Sequence, residues 1–326
     1  MARLRGAVRE AALADVARLR ADGATWREIA AALGLTRAQT KHLLREAKAA
    51  RPDAQARFQV ATYVYTGEKP RETVPRFTGW LRLAGDFMVI NDLHIPACNW
   101  AFADRMLDVA RAHLPRPRKV IIAGDLINGD ALSRWQDLVL CTPLADELDY
   151  ARQFLSHLAG TFDEIYVTRG NHENRLLLSM EGQLHAPQFW RLFSDNRRTH
   201  FSIYGYLVVE SGGKTWRISH QRNYSRLPLS VARRMAEKYK ANMICAHQHH
   251  SAQGRDPSNT YALIDSGGLH DSELLGYVQL DDSTAPMMNN GFVLLRDGVG
   301  TLFTPAEYAM TDWTMWLPAA ARRQAA

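Results

Sequence analysis

Five short blocks of acidic, amide and imidazole side chains are spread along the chain, and each block follows a run of apolar residues. Short apolar runs rich in β-branched residues, such as residues 87–90, predict buried strands. Carboxylate and imidazole ligands without a thiolate favour Mn, Fe, Zn or Mg over Cu(I). The pattern therefore predicts a metal site at the ends of several strands. In chain order, the blocks contain Asp92 and His94, Asp125, Asn171 and His172, His220, and His247 and His249.

Each block alone is a weak indicator, because an Asp-x-His pair or a single histidine is common by chance. His247 and His249 are more informative, since two imidazoles at this spacing can serve two neighbouring ions. Gly170 permits a tight turn before Asn171, which is stronger still. All five blocks in order, each after a predicted strand, favour a dinuclear metal site over a chance set of surface residues.

The spacing of the first two carboxylates supports the same conclusion. Asp92 and Asp125 are 33 residues apart, which is about the length of one βαβ unit. Parallel neighbouring strands would bring both carboxylates to one edge of a sheet, where α/β proteins place their sites. One aspartate with two oxygens can then bridge two ions.

The elements that would position these blocks begin at residue 86, where predicted strands start to alternate with predicted helices. This alternation indicates βαβ units and an α/β fold. Strands are predicted at 87–90, 119–123, 164–168, 204–209, 216–219, 243–246, 261–264 and 292–295, and helices at 101–114, 144–158 and 230–240.

The order of the blocks resembles the calcineurin-like metallophosphoesterase superfamily. That family's pattern is Asp-x-His, Gly-Asp, Gly-Asn-His, a lone His, and Gly-His-x-His, and the resemblance covers about residues 86–295. It implies a sandwich of two central β-sheets flanked by helices. It also implies hydrolysis of a phosphoester substrate with two divalent metal ions, of which Mn²⁺ is the first expectation and Fe, Zn or Mg the alternatives.

The resemblance also implies a role for each residue. The first metal ion would be held by Asp92, His94, Asp125 and His249. The second would be held by Asp125 as a bridge, Asn171, His220 and His247. His172 would be the acid that protonates the leaving oxygen or the group that binds the phosphoryl oxygens.

Two positions depart from the family pattern. Ala246 stands where the family has a glycine, and it should fit if its φ is negative. Asn128 stands where the phosphatase branch has an aspartate that orients the catalytic histidine. We therefore expect His172 to have a lowered pKa, or to take another partner such as Asp130.

The first 50 residues have a different, helical periodicity. Residues 25–36 resemble a helix-turn-helix module, in which Gly34 permits the sharp turn and Thr36 caps the next helix. This resemblance implies DNA binding, and a helical hairpin that binds protein is the alternative. The residues expected to face nucleic acid are Arg37, Gln39, Thr40, Lys41 and Arg45.

The charge is distributed unevenly along the chain. Residues 1–85 contain 16 basic and 8 acidic residues, whereas residues 86–326 contain 24 and 26. This asymmetry favours a polyanion partner for the N-terminal part. We expect a DNA-binding module at 1–50, a Pro- and Gly-containing linker at 51–85 that could lend a strand or two to the next domain, and a metallophosphoesterase domain at 86–326.

Composition excludes several other classes of protein. The chain is 46% hydrophobic and 23% charged, which is ordinary for a globular protein. No apolar run approaches the ~20 residues of a membrane span, and no apolar stretch follows the basic N-terminus to form a secretory signal. Cys98, Cys141 and Cys245 form no CxxC pair, which predicts reduced thiols in the cytoplasm.

Three hypotheses for function follow. The first is a phosphoesterase of mono- or diesters that acts on nucleic acid or is tethered to DNA. The second keeps the chemistry but makes the substrate a phosphoprotein or small phosphoester, with an N-terminal protein-interaction hairpin. The third is a DNA-binding regulator whose phosphoesterase fold is inactive, and the complete set of seven ligands argues against it.

Overall fold

The computed structural model describes residues 6–21, 24–36, 38–43, 78–133, 142–180, 184, 186–279 and 288–305. The chain divides into two units, Met1–Arg76 and Phe77–Ala326, which are described one at a time. Arg37, Arg45 and Cys141 lie outside the described residues, as does the predicted linker up to residue 77.

Three helical segments are described in the N-terminal unit. Helix α1 is Gly6–Ala21, helix α2 is Trp26–Leu33, and residues 38–43 are also helical. Each segment contributes one buried residue, Val16, Ile29 or Leu43, to a shared apolar cluster. The helical periodicity of the sequence thus gives this unit a small core of its own.

The turns of this unit are fixed by hydrogen bonds. Thr25 and Glu28 form a capping box at the start of α2, in which the Thr25 backbone N–H donates to the Glu28 carboxylate at 2.7 Å. Gly34 ends α2 with φ +63°, a conformation that glycine adopts without strain. Thr36 and Gln39 form a second box, with 2.9 Å between the Thr36 backbone nitrogen and Gln39 Oε1. The predicted stop at Gly34 and cap at Thr36 are confirmed.

One residue predicted to face nucleic acid lies inside this unit instead. Thr40 is fully buried, and its hydroxyl donates to the backbone carbonyl of Thr36 at 3.0 Å. It shares the inward helix face with Leu43, because residues three apart lie on the same side of a helix. The expectation that Thr40 faces outward is therefore wrong. Gln39 uses its side chain in the cap, and Lys41 is exposed.

Twelve strands and six helices are described in the second unit, together with two short 3₁₀ turns, Asp130–Leu132 and Ser272–Leu274. The strands are β1 Arg82–Ala84, β2 Phe87–Ile90, β3 Lys119–Ala123, β4 Glu164–Thr168, β5 Thr199–Ser202, β6 Tyr206–Ser211, β7 Lys214–Ser219, β8 Asn242–Cys245, β9 Ser251–Arg255, β10 Ala262–Ser266, β11 Phe292–Arg296 and β12 Val299–Phe303. The helices are α3 Trp100–His113, α4 Leu144–Ala159, α5 Asn171–Ser179, α6 Ala186–Arg191, α7 Ser230–Tyr239 and α8 Gly276–Gln279.

The strands form two six-stranded sheets that pack face to face. One sheet has the order β1-β6-β7-β8-β10-β9, and the other has the order β12-β11-β2-β3-β4-β5. Strand β2 shows how the layers arise, because its side chains alternate between two faces. Phe87 and Val89 join the cluster between the sheets, while Met88 and Ile90 join the cluster under the helices.

Helices cover both outer faces of the sandwich. Met106 and Val109 of α3 and Phe154 of α4 pack on the second sheet, and Ala232 and Ala236 of α7 pack on the first. The fold is therefore α/β, with two central sheets flanked by helices, as the resemblance implied. No helix among the described residues is long and apolar enough to cross a membrane.

The register of the central strands places the polar blocks together. Strands β2, β3 and β4 are parallel neighbours, with Ile90 opposite Ile122 and Ala123 opposite Thr168. In the other sheet, β7 and β8 are parallel, with Ser219 opposite Cys245. All five blocks therefore follow the carboxyl ends of parallel strands, which is where α/β folds build their sites.

The edge strands are the part of the sheets that the sequence did not predict. Strands β5, β9 and β12 are all edges, and each keeps partly exposed side chains. The fourth edge, β1, lies within the predicted linker and pairs in parallel with β6, so that segment lends one strand to the sandwich.

Candidate metal centre

The structure brings the predicted ligands and His172 together at the ends of both sheets. Their donor atoms form three overlapping groups, and within each group all donors lie within 4.8 Å of one another. Asn171 joins them, since its Oδ1 lies 2.9 Å from His220 Nε2. The three groups are Asp92, His94 and His249; His94, Asp125 and His172; and Asp125, His220 and His247.

Five of the predicted ligands have a left-handed backbone conformation, which side chains with a Cβ rarely adopt. Such strain costs about 1–3 kcal/mol per residue and clusters at functional sites. Ala246 is not among the residues with positive φ, so it meets the condition for replacing the family's glycine. The five residues are Asp92 (φ 48°), His94 (48°), Asp125 (51°), His247 (70°) and His249 (55°).

The first group is arranged around one small volume. His249 Nε2 lies 3.2 Å from Asp92 Oδ1 and 3.2 Å from His94 Nε2. His94 is buried, and its Nδ1 has no hydrogen-bond partner among the described residues. Burial acts to raise the pKa of Asp92, but His249 and His220 outweigh it and hold that pKa below its usual range. A carboxylate and two imidazoles thus converge on a position that suits a cation.

His220 shows most directly that the site suits a metal ion. Its Nδ1 donates to the Ala123 carbonyl at 2.9 Å, which is how ligating histidines are commonly oriented. Its Nε2 then faces two acceptors, Asn171 Oδ1 at 2.9 Å and Asp125 Oδ2 at 3.3 Å. Burial lowers the pKa of His220, but Asp125 and Asp92 raise it to about 10. Nε2 of His220 therefore points toward two oxygen donors, an arrangement that suits a shared cation.

Asp125 and His94 each belong to two of the three groups, and of these two residues Asp125 has the two carboxylate oxygens that a bridge needs. Two glycines allow the Asp125 block to lie close to His220 and to the Asn171 block. A Cβ at Gly124, which has φ +80°, would lie 2.6 Å from His220 Nδ1, and a Cβ at Gly170 would lie 2.9 Å from the Asp125 carboxyl carbon. Both blocks therefore need glycine for close backbone approach. The metal-binding roles themselves stay predictions.

Glu173 is a site residue that sequence analysis missed. It is fully buried, and its carboxylate accepts four backbone N–H bonds. Burial, reinforced by the charge of Asp125, raises the pKa of Glu173 to about 7. Glu173 therefore holds the backbone of two ligand loops in place. The four donors are Asp125 at 3.1 Å, Leu126 at 2.8 Å, Ile127 at 3.3 Å and Gly170 at 2.8 Å.

His172 has a main-chain partner rather than Asp130. Its Nδ1 contacts the backbone carbonyl of Asn128, while the Asn128 side-chain amide donates to Asp130 Oδ1 at 2.5 Å. Asp130 is therefore not the partner of His172 Nδ1, and its carboxylate accepts from the Asn128 amide instead. Burial lowers the pKa of His172, which is the direction expected.

The loop that holds His172 is supported from α4 by Glu147. Its carboxylate accepts from the Gly129 backbone N–H at 2.6 Å and from that of Asp130 at 3.0 Å. Burial raises the pKa of Glu147 to about 7. Nothing in the sequence marked this residue, since its partners lie 17 and 18 positions away.

His270 is a second imidazole that sequence analysis missed. Its ring lies 4.4 Å from that of His249 and 5.9 Å from that of His94, centroid to centroid. Neither of its ring nitrogens has a hydrogen-bond partner among the described residues. Burial lowers its pKa to about 3. One sequence signal could have identified His270. It lies four residues after the end of β10, and the predicted ligands likewise lie within four residues of a strand end.

A cavity of about 240 Å³ opens over these residues. Beside the predicted ligands, its wall includes Asp130, Ser133, Arg175 and Tyr224. The Arg175 guanidinium forms no hydrogen bond or ion pair with the described residues. Cavities of about 600 and 690 Å³ lie elsewhere on the unit, but neither contains any of the predicted ligands.

A model of the calcineurin-like phosphoesterase family matches residues 85–251. That span is just over half of the 326 residues and contains every predicted metal ligand. The chain belongs to the calcineurin-like phosphoesterase family. The family and the cluster of acidic and imidazole side chains make this phosphoesterase a metal-dependent enzyme that uses divalent metal ions.

Several solved structures match this chain at low identity and low TM-score. A Vps29 variant from Entamoeba histolytica is 15% identical, with 67% of this chain and 97% of that chain covered and a TM-score of 0.34. Wild-type Vps29 from the same organism, complexed with Zn²⁺, is 14% identical with the same coverage and a TM-score of 0.31. Hypothetical protein PH1004 from Pyrococcus horikoshii OT3 is 12% identical, with 74% and 97% covered and a TM-score of 0.41. No curated protein matches the chain.

Proposed function

We propose that this phosphoesterase hydrolyses phosphodiesters of nucleic acid at a dinuclear metal site. The observation that carries the proposal is the meeting of donors from five separate chain segments in three overlapping groups beside one cavity, with the donors of each group within 4.8 Å of one another. The first ion would be held by Asp92, His94, Asp125 and His249, and the second by Asp125, Asn171, His220 and His247. Mn²⁺ is the first candidate, with Fe, Zn and Mg as alternatives, because the donors are oxygen and imidazole nitrogen.

When bound, two divalent ions lower the pKa of water and offset the charge of the phosphoryl oxygens. The protein's own part is positioning. Because His172 directs Nδ1 to the Asn128 carbonyl, its Nε2 is left on the side of Asp125, 3.7 Å from Oδ2. In its protonated form, this nitrogen can pass a proton to the leaving oxygen.

Charge in the cavity favours a diester over a monoester. Among the described lining residues, Arg175 is the one permanent cation, and Asp130 contributes a carboxyl group to the same wall. A phosphomonoester carries a charge of about −1.5 to −2 at neutral pH, whereas a diester carries one negative charge. A single arginine beside the two ions suits the smaller charge.

The N-terminal unit is proposed to tether the enzyme to DNA. Support comes from its helices around a shared core, the turn at Gly34, and the exposed Lys41. The domains are proposed as a DNA-binding module at 1–50, a linker at 51–85 and the catalytic domain at 86–326. A reducing compartment such as the cytoplasm is also proposed, because Cys98 and Cys245 are free, buried thiols.

The metal proposal is tested by metal analysis and turnover. Wild-type protein should take up two ions per chain from Mn²⁺ and hydrolyse bis-p-nitrophenyl phosphate. Asp125→Asn should lose bound metal and most of its turnover, because one of the two oxygens of the bridge becomes an amide. Asp149→Asn, which alters an exposed aspartate paired with Arg152, is the matched control. Two ions and full turnover in Asp125→Asn would disprove the assignment.

The DNA proposal is tested by the triple variant Arg37→Ala, Lys41→Ala, Arg45→Ala in mobility-shift assays across a salt series. Duplex binding should weaken, and the log–log salt slope should flatten by about 0.9 for each phosphate that is no longer neutralised. Unchanged duplex binding would favour a protein partner for this unit.

A further inference from the structure

A second cavity, of about 640 Å³, adjoins the candidate metal centre. His220 lines it, and Tyr224 lines both this cavity and the catalytic one. We call it the basic groove, because four of its fifteen lining residues are cationic and three more are tyrosines. Its cations are Arg217, Arg222, Arg234 and Lys238, and its tyrosines are Tyr206, Tyr224 and Tyr239.

The groove concentrates positive charge in a part of the chain that is slightly acidic. Residues 86–326 contain 24 basic and 26 acidic residues, yet no described lining residue of the groove is acidic. Arg222 and Arg234 are exposed and form no hydrogen bond or ion pair with the described residues. Unpaired like charges in a concave surface attract a polyanion.

Arg217 is held at the wall of the groove by two aromatic rings. Its guanidinium carbon lies 3.5 Å from the ring centroid of Tyr206 and 3.8 Å from that of Tyr239. This cation–π arrangement fixes the orientation of the charge. Its Nε is buried without a hydrogen-bond partner among the described residues. The groove therefore has at least one cation that is ordered before any ligand arrives.

Tyr224 forms an anchored aromatic platform where the two cavities meet. Its residue is 52% exposed, but the next residue is tied to the ligand loop of β8. The Ser225 backbone N–H donates to Gln248 Oε1 at 3.2 Å, and His250 Nε2 donates to the Ser225 carbonyl at 3.0 Å. The ring is thus presented to solvent from a fixed backbone, which lowers the entropy cost of stacking on it.

We propose that the basic groove binds single-stranded nucleic acid and directs one of its phosphodiesters into the metal centre. Proteins that bind single strands combine a positively charged groove with aromatic rings on which bases stack. A duplex hides the faces of its bases, and a phosphopeptide offers neither regular charges nor regular π-faces. This inference rests on the proposed function, since it names the substrate class of the same site.

The charge component is tested by binding of a fluorescein-labelled oligothymidylate in EDTA, which prevents hydrolysis. In anisotropy titrations across a salt series, Arg222→Gln, Arg234→Gln should bind more weakly than wild type. The log–log slope should flatten by about 0.7 for each phosphate that loses its cation, or about 1.4 for the pair. The control is Arg191→Gln, Arg197→Gln, which removes the same charge from exposed positions outside the groove. Equal effects of the two double variants would overturn the proposal.

The stacking component is tested with Tyr224→Ala on two ligands. Loss of one stacked base should weaken oligothymidylate binding roughly 5- to 150-fold. A deoxyribose-phosphate oligomer without bases keeps the phosphates, so the same substitution should leave its affinity within about twofold. Equal losses on both ligands would overturn the proposal, as would stronger competition by duplex DNA or by a phosphopeptide than by unlabelled oligothymidylate.

Turnover distinguishes failure of this inference from failure of the proposed function. With Mn²⁺ present, Arg222→Gln, Arg234→Gln should lower the ratio of kcat/KM on an oligonucleotide to kcat/KM on bis-p-nitrophenyl phosphate. Equal losses on both substrates would contradict the groove. Strand binding through the groove without hydrolysis of either substrate would support the groove and refute the phosphodiesterase.

Discussion

Replacement of Glu173 by glutamine tests whether the backbone around the metal ligands is held by one buried carboxylate. Glu173 Oε2 accepts from the backbone N–H groups of Asp125 and Gly170, and Oε1 accepts from those of Leu126 and Ile127. Glutamine keeps one acceptor oxygen and turns an NH₂ group toward the other two donors. Two of the four hydrogen bonds are therefore removed, and the two backbone N–H groups that made them then face the NH₂ group of the glutamine, which is also a donor.

The magnitudes decide which property will respond. Hydrogen bonds to a charged acceptor contribute about 1.5–3 kcal/mol each, so the missing pair is worth about 3–6 kcal/mol. Burial opposes this, because it makes the Glu173 carboxylate costly to ionise and raises its pKa to about 7. The free energy of unfolding should therefore fall by less than the roughly 3–6 kcal/mol of the missing pair, and the protein should still fold.

Metal affinity should respond more clearly than stability. Removing a group that orients a metal ligand typically lowers affinity 10- to 100-fold, and Glu173 orients the backbone of both Asp125 and the Gly170 loop. We expect such a loss for Zn²⁺ or Mn²⁺ in competition titrations with a chromophoric chelator, although every predicted ligand is still present. The control is Glu210→Gln, which alters an exposed glutamate bonded to Thr215. Unchanged metal affinity in folded Glu173→Gln would refute the positioning role.

Two further predictions concern His172 and the loop at residues 128–130 that contacts it. His172→Ala should retain both ions and lose about 10²–10⁴-fold in turnover, with a smaller loss for substrates whose leaving group needs no proton; equal losses on good and poor leaving groups would contradict the acid role. Glu147→Gln tests the raised pKa of Glu147. Because this pKa is higher in the folded protein than in the unfolded chain, protonation of Glu147 stabilises the folded state. That stabilisation is complete below about pH 4.5 and is lost as pH rises through about 7. Urea titrations should therefore show that the difference in unfolding free energy between variant and wild type changes by about 1–3 kcal/mol across this pH window. Outside the window the difference should be constant. A difference independent of pH would contradict the assignment.

The central strands and the polar blocks after them were readable in the sequence for the same physical reason. Strands β2 and β3 are buried on both faces, so they appear as continuous apolar runs such as Phe87–Ile90. The edge strand β9, Ser251–Arg255, is largely polar and partly exposed. Its pairing with β10 depends on a partner strand, and no local pattern records that.

The types and order of the predicted ligands are local properties, because each block is a short motif at a strand end. The family pattern and the charge asymmetry can likewise be read from the sequence without knowing which distant segments are in contact. Thr40 shows the limit of such reasoning, since its side chain is polar but its place on the helix turns it toward Leu43 and away from solvent.

Contacts between distant segments depend on strand pairing within each sheet and on the packing of the sheets and helices. Glu173 accepts from residues 46 to 48 positions earlier in the chain, and Asp92 meets His249 across 157 positions. The basic groove likewise combines Tyr206 and Arg217 of two strands with Tyr239 of α7. Hydrogen-bond and cation–π geometry depends on distance and angle in three dimensions, so the residues that support the site and line its neighbouring groove can be recognised only once the strands have paired and the helices and sheets have packed.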